Sequence, residues 1–309
     1  MRKSKIFTLI ASTIAAGLVL TACGGASTAG SSAAGSSAAG SSAAGSSAAA
    51  TSTAASGDKK VIIAATGGQP KPYSFVNANN EVDGYDTEFI KLVFEQLPQY
   101  ELKVEVTDFQ SIFTGLTAGK YQIGYNSFTY NEKRAESYLY SFPYDLNAYV
   151  VVQHKDAEPI NSFDKLAGKS FETGASNAIA NGVEKWNEDN PNKKITIDYT
   201  EADQTVLLQH VEDKTKEFTI MDPAMFKVYT EEFGFKNLQA TALDEPSTKF
   251  ISDNLNAYFL FPKDQDSLRQ EINAVVKKLH DDGTIAKLTK KWFDRELVPD
   301  DKQYEKTLN

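Results

Sequence analysis

The chain has 309 residues, 41% of them apolar or aromatic, with 32 basic residues against 41 acidic and a net charge of −9 at neutral pH. So acidic a balance is a poor match to nucleic acid or to an anionic lipid surface, which points to a small or proteinaceous partner. Its single cysteine, Cys23, excludes an internal disulfide and any cysteine-based metal site.

Residues 1–22 read as a lipoprotein signal peptide. Arg2, Lys3 and Lys5 precede an apolar run from Ile6 to Leu20. That run is about 15 residues, shorter than the roughly 20 a membrane span needs. The run ends in Leu20-Thr21-Ala22-Cys23, which resembles a bacterial lipobox and makes Cys23 the expected lipidation site and new N-terminus. Two or three acyl chains, palmitate among them, would hold the mature protein firmly on the extracellular face of the cytoplasmic membrane. Without the signal's three cations the chain keeps 29 basic residues against 41 acidic, a net charge of −12. Residues 24–57 contain only Gly, Ala, Ser and Thr, with GSSAA four times in succession from Gly30 to Ala49. Nothing there can bury an apolar face, so 23–58 is expected to be a flexible tether with a reach of roughly 30 to 36 Å.

Residues 59–309 are enough for one large or two small cores. KKVIIAATGG predicts a strand ending in glycines, and GYDTEFIKLVFEQLPQY a helix with Phe89, Leu92, Val93 and Leu97 on one face. Strand and helix then alternate: ELKVEVTDF, QSIFTGLTAGK and YQIGYNSF, and later KSFETGAS, NAIANGVEKWNEDN, ITIDYTEAD, TVLLQHVEDK, EFTIMD and PAMFKVYTEEFG. This is the pattern of two α/β lobes. SFPYDLNAYVVVQ, and LQATALDEPST near 238–248, read as extended passages between them. A long amphipathic helix with Leu268, Ile272, Val275, Val276 and Leu279, then a short one closing on Trp292 and Phe293, return the chain to the first lobe. The expected division is 59–146 for the first part of lobe 1, 147–243 for lobe 2 and 244–309 for the return, with two crossings forming a hinge.

The segment NSFTYNEKRAESYLYSFPY places Arg134 five residues after Thr129. Thr129 and Glu132 have capping-box spacing, which puts Arg134 near a helix N-terminus that attracts anions. A guanidinium there makes a two-pronged carboxylate site. On the residues alone a solvated surface arginine is the competing account. Asp222-Pro223 ends an apolar strand and starts a helix, so Asp222 is an N-cap or a carboxylate facing a ligand. In TGAS, Gly174 allows close approach and Ser176 opens a helix whose N–H groups can reach a carboxylate.

The glycine-started helix GYDTEF, the segment SFTYNEKRAESYLYSFPY, the LAGKSFETGAS turn and the closing DDGTIAKLTKKWF together resemble the amino-acid-binding family of bacterial ABC-transporter solute receptors (solute-binding protein family 3), over essentially all of 60–297. The resemblance implies an α/β, type II periplasmic-binding-protein-like fold, two lobes joined by two hinge strands with the ligand between them. It implies a binding protein rather than an enzyme, monomeric, without cofactor or metal, delivering an amino acid to an ABC permease. It places Arg134 on the ligand's α-carboxylate with Thr129 beside it, Ser127 and Asp222 on the ammonium, and Phe109 against the ligand side chain. Tyr73 falls where the family often has an aromatic, although the preceding cleft position holds Pro70. An acidic residue that receptors of basic amino acids carry near the end of the first strand is replaced by TGG, which disfavours lysine or arginine. Within the family the segment 111–141 is most similar to cystine-binding lipoproteins of Gram-positive bacteria, and Asn126, Tyr130, Gln69 and Glu172 offer polar groups for a long double zwitterion. Another polar amino acid as ligand, and a surface sensor or adhesin role, stay open. A secreted dehydratase would need a positioned acid or base. His154, His210 and His280 are scattered, and Glu172 is the one cleft acid to nominate.

Overall fold

The structure, a computed structural model, describes residues 59–309; the signal peptide, Cys23 and the tether lie outside the described residues. The chain enters through strand β1 (Lys60–Thr66), a short hairpin of β2 (Phe75–Val76) and β3 (Val82–Asp83), and helix α1 (Tyr85–Glu95). It continues through β4 (Tyr100–Val106), α2 (Phe109–Thr117), β5 (Ile123–Phe128), the one-turn helix α3 (Glu132–Ala135), β6 (Tyr138–Tyr140) and β7 (Asp145–Leu146). β1 is an interior strand: Ile62, Ala64, Ala65 and Thr66 are all buried, the pattern of a parallel strand covered on both faces. It pairs in parallel with β4, Lys60 opposite Tyr100 through Thr66 opposite Val106, and with β5 at Ala64 and Ile123.

The second lobe runs from β8 (Val150–His154) through α4 (Phe163–Leu166), β9 (Ser170–Thr173), α5 (Ala178–Asp189), β10 (Thr196–Tyr199) and α6 (Gln204–Glu212). It is completed by β11 (Phe218–Met221), α7 (Pro223–Phe233), β12 (Leu238–Ala242) and α8 (Glu245–Ile251). β8 is the centre of an antiparallel three-stranded sheet between β11 and β12, and β9 pairs in parallel with β10. The chain then returns through β13 (Asn256–Pro262), which enters the first sheet between β5 and β6, followed by α9 (Asp266–Asp281) and α10 (Thr284–Phe293). Among the described residues no helix is long and apolar enough to cross a membrane.

Two departures from the sequence expectation concern the return. DEPST is not extended: Asp244 caps α8 by accepting from Ser247 N–H, with proline in the first turn. Phe250 and Ile251 of that helix pack in the second lobe's core with Phe163, Trp186 and Val183, so the chain leaves this lobe after residue 251 rather than at 244. Crossings therefore fall at Asp145–Tyr149 and Ser252–Asn256, where Asn147 N–H bonds Leu255 O at 2.7 Å.

One buried cluster spans the junction. Tyr73, Tyr85, Phe89 and Phe293 of the first lobe share it with Leu208, Met221, Met225 and Tyr229 of the second. Fully burying side chains of this size stabilises by about 1.5–3 kcal/mol each.

Candidate functional site

The site is built at the C-terminal end of β5. Ser127 has a left-handed φ of 48°, an uncommon conformation for a residue other than glycine. Two contacts hold it: its N–H donates to Asp86 Oδ2 at 2.6 Å, and its hydroxyl donates to Asn147 Oδ1 at 2.9 Å. Its hydroxyl is thereby committed to the crossing strand rather than to a ligand.

Thr129 is buried but does not cap α3, contrary to the capping-box expectation. Asn131 does so, accepting from Arg134 N–H at 2.9 Å. With the cap two residues later, a one-turn helix places the Arg134 side chain back over the aromatic wall. The guanidinium carbon lies 5.0 Å from the Phe113 ring centre and 5.2 Å from that of Phe128. Its nitrogens reach two carbonyls, Thr129 O and Ser176 O of the opposite lobe, each at a long 3.4 Å. No carboxylate is among its contacts in the described residues. Burial lowers its proton affinity, with the hydroxyls of Tyr140, Tyr138 and Tyr149 partly opposing. A desolvated guanidinium with only weak carbonyl partners is one that an incoming carboxylate would stabilise.

The second lobe supplies the opposite charge. Asp222 caps α7, accepting from Ala224 N–H at 2.6 Å, and its other oxygen accepts from Ala148 N–H at 3.2 Å. Burial raises its pKa, against the two N–H groups, the Tyr73 side chain and Arg295. Tyr149, at the end of the first crossing, has its pKa raised by burial and by the charge of Asp222, while Thr129 and Arg134 pull the other way.

Other expected residues take different places. Phe109 is half-buried, edge-on to Phe113 at 5.4 Å and tilted against Phe128 at 5.8 Å, part of the wall under Arg134. Tyr73 is not a cleft aromatic: it is 2% exposed and packs 5.2 Å from Phe293 in the core. Asn126 fixes the first turn, accepting from Thr66 Oγ1 at 3.1 Å and Gly67 N–H at 3.0 Å. Tyr130 packs on Tyr140, and Gln69 is exposed. Gly174 meets nothing closer than 3.6 Å where a Cβ would stand, so no close approach requires it. Ser176 does not open α5; Asn177 caps it, and Ser176 instead takes a φ of 62° with its carbonyl toward Arg134. Glu172 is lost as a cleft acid because it pairs with His210 Nδ1 at 2.6 Å and lies 3.9 Å from Lys216 Nζ.

Sequence reasoning missed Tyr149, Asn147 and Asp86. The available signal was polar residues, Asp145 and Asn147, inside an otherwise apolar crossing strand. Among the described residues no group of three or more His, Cys, Asp or Glu side chains is placed to hold a metal. A concavity of about 510 Å³ lined by His154, Lys169, Lys214, Lys216 and Glu217 shares no residue with this site. Its lysines are already paired with Glu217, Asp156 and Asp198.

The family described as bacterial extracellular solute-binding proteins, family 3, matches residues 62–295. The L-cystine-binding protein TcyJ of Bacillus subtilis (strain 168) is 26% identical over 237 residues, 76% of this chain and 84% of that one. TcyK of the same organism, also an L-cystine-binding protein, is 27% identical over 246 residues, 77% and 86% of the two chains. A solved structure from work on glutathione import in Gram-positive bacteria via GshT and the cystine ABC importer TcyBC of Streptococcus mutans superposes with a TM-score of 0.73. It is 32% identical, covering 79% of this chain and 99% of its own.

Proposed function

The chain belongs to the bacterial extracellular solute-binding proteins, family 3, and from that premise we propose that it is the lipid-anchored receptor of an ABC importer. On this reading it captures a sulfur-containing amino acid, L-cystine in the first place, between its lobes and hands it to a permease. The observation that carries the reading is Arg134: half-buried against two aromatic rings, without a carboxylate among its contacts, and facing Ser176 O of the other lobe. With Asp222 on the second lobe, the arrangement complements a zwitterion, carboxylate to the guanidinium and ammonium to the carboxylate. Chemistry of this kind needs binding and closure, not turnover. Cys23 supplies the membrane anchor and residues 24–57 the tether.

Glutathione is the second reading, favoured by the 32% identical structure from work on glutathione import. It shares the α-amino and α-carboxyl groups of its γ-glutamyl end with a free amino acid, so the same pair of charges serves both.

Calorimetric titration of residues 58–309 with L-cystine, glutathione and L-arginine decides between them. Heat with cystine supports the first reading, heat with glutathione alone the second, and heat with arginine alone removes both. In each case Arg134→Ala is expected to weaken binding about 10²- to 10³-fold while the melting temperature of the free protein stays within a few degrees. Unchanged affinity would remove Arg134 from the site.

A further inference from the structure

We propose that Asn309 is a positioning residue for Arg134, acting as a one-residue strand on the open edge of the first lobe's sheet; the inference rests on the receptor reading of the site. Among the described residues the sheet ends at β6, whose outer edge has no strand beside it. Asn309 fills that edge with its side chain. Its Oδ1 accepts from Tyr140 N–H at 3.1 Å and its Nδ2 donates to Tyr138 O at 2.7 Å, the two groups a neighbouring strand would satisfy. The same Nδ2 also donates to Ala135 O at 3.2 Å, the last residue of α3 and the one next to Arg134.

The tail that carries Asn309 is itself anchored. Tyr304 is buried, donates its hydroxyl to Pro143 O at 2.9 Å and packs 4.1 Å from the His280 ring. Arg269 of α9 donates to both Tyr140 O and Asn309 O, and Lys263 donates to Ala135 O at 2.8 Å. α3 has one turn, one capping side chain and no buried residue of its own. An element this short is marginal without outside contacts. Its C-terminal carbonyl is held by Asn309 and Lys263, so the direction in which Arg134 leaves the backbone depends on the tail.

The test is nuclear magnetic resonance on the chain from residue 58 onward, comparing wild type with Asn309→Ala and the near-isosteric Asn309→Asp. The Asp variant keeps an acceptor for Tyr140 and loses both donated bonds. Solvent exchange of the Arg134 Nε–H is the primary readout, since a role confined to the sheet edge would not move it. Both variants are expected to speed that exchange and the amide exchange of residues 132–140. They should also raise by about 3- to 10-fold the Kd of whichever probe, L-cystine or glutathione, the wild type binds. Fast amide exchange at 138–140 with Arg134 unchanged would overturn the proposal, as would no change anywhere. If the wild type binds neither probe, the receptor reading fails, and the Arg134 signal still decides whether Asn309 positions it.

Discussion

Asp86 carries the sharpest pH consequence of any single residue. Its carboxyl is buried at the start of α1, accepts one N–H from Ser127 and leaves Oδ1 without a partner. Burial pushes its pKa up to about 8, against the Ser127 N–H and the Tyr144 hydroxyl. Asp145, also buried, is raised in the same direction by burial and by the charges of Asp86 and Asp222, which the Leu146 N–H and Arg295 only partly offset. A carboxyl raised in the folded state is protonated there and ionised when unfolded, so stability falls as pH rises from about 4 to about 8 and levels off above. Asp86 contributes a slope of about 1.4 kcal/mol per pH unit in that window. Urea unfolding between pH 5 and 8 is expected to show this decline, and Asp86→Asn, which still accepts from Ser127, to make it shallower and to stabilise the protein at pH 8. Parallel curves for the two proteins would mean that Asp86 is ionised in the native state. Legibility at this scale divides by chemistry. Asp222 was readable as an N-cap because Asp-Pro fixes its place. Tyr73 and Glu172 were not, since an aromatic after a loop looks alike in a core or on a cleft wall, and a strand glutamate does not disclose that His210 faces it.

Among elements, α1 depends on one glycine. Gly84 caps it at φ 113°, and a Cβ there would stand 2.4 Å from Tyr73 O, a backbone atom that cannot swing aside. The carbonyls of Pro72 and Tyr73 accept from Tyr85 and Asp86 N–H in the same turn. Gly84→Ala is therefore expected to destabilise by roughly 2 kcal/mol or more, seen as a lowered urea midpoint. A change under about 0.5 kcal/mol would show that the turn relaxes freely. Element type was legible wherever periodicity or end signals were strong. α7 runs from the Asp222-Pro223 start to Gly234 in left-handed conformation at φ 73°, as its sequence indicates. α8 starts with the same chemistry, Asp244 before Glu-Pro, yet its seven residues are too few to display a helical period, and the stretch reads as extended. α3 shows the opposite error: Thr129 has the right spacing for a cap, but Asn131 lies nearer and its oxygen reaches Arg134 N–H.

For the whole molecule, the two-lobed α/β architecture followed from alternating patterns, while the point of return did not, because α8 belongs by packing to the second lobe. Contacts outside the site also join the lobes: Lys71 Nζ meets both oxygens of Glu232 at 2.6 and 2.7 Å, and Gln110 Nε2 donates to Ala175 O at 3.0 Å. The Lys71 pair is partly exposed, so its effect is small and screened by salt. Lys71→Ala is expected to weaken ligand binding by about two- to fivefold at low ionic strength and to have no effect near 0.5 M salt, measured by titration at both. A loss that persists in high salt would assign Lys71 to the ligand rather than to closure. The buried cluster in which Tyr73, Tyr85 and Phe293 meet Met221, Met225 and Tyr229 has a different kind of consequence. The halves of this molecule are a mated pair, not interchangeable modules: a chimera that borrows one half from a relative must bring the facing side chains with it, or its waist will be ill-fitted however well each half folds.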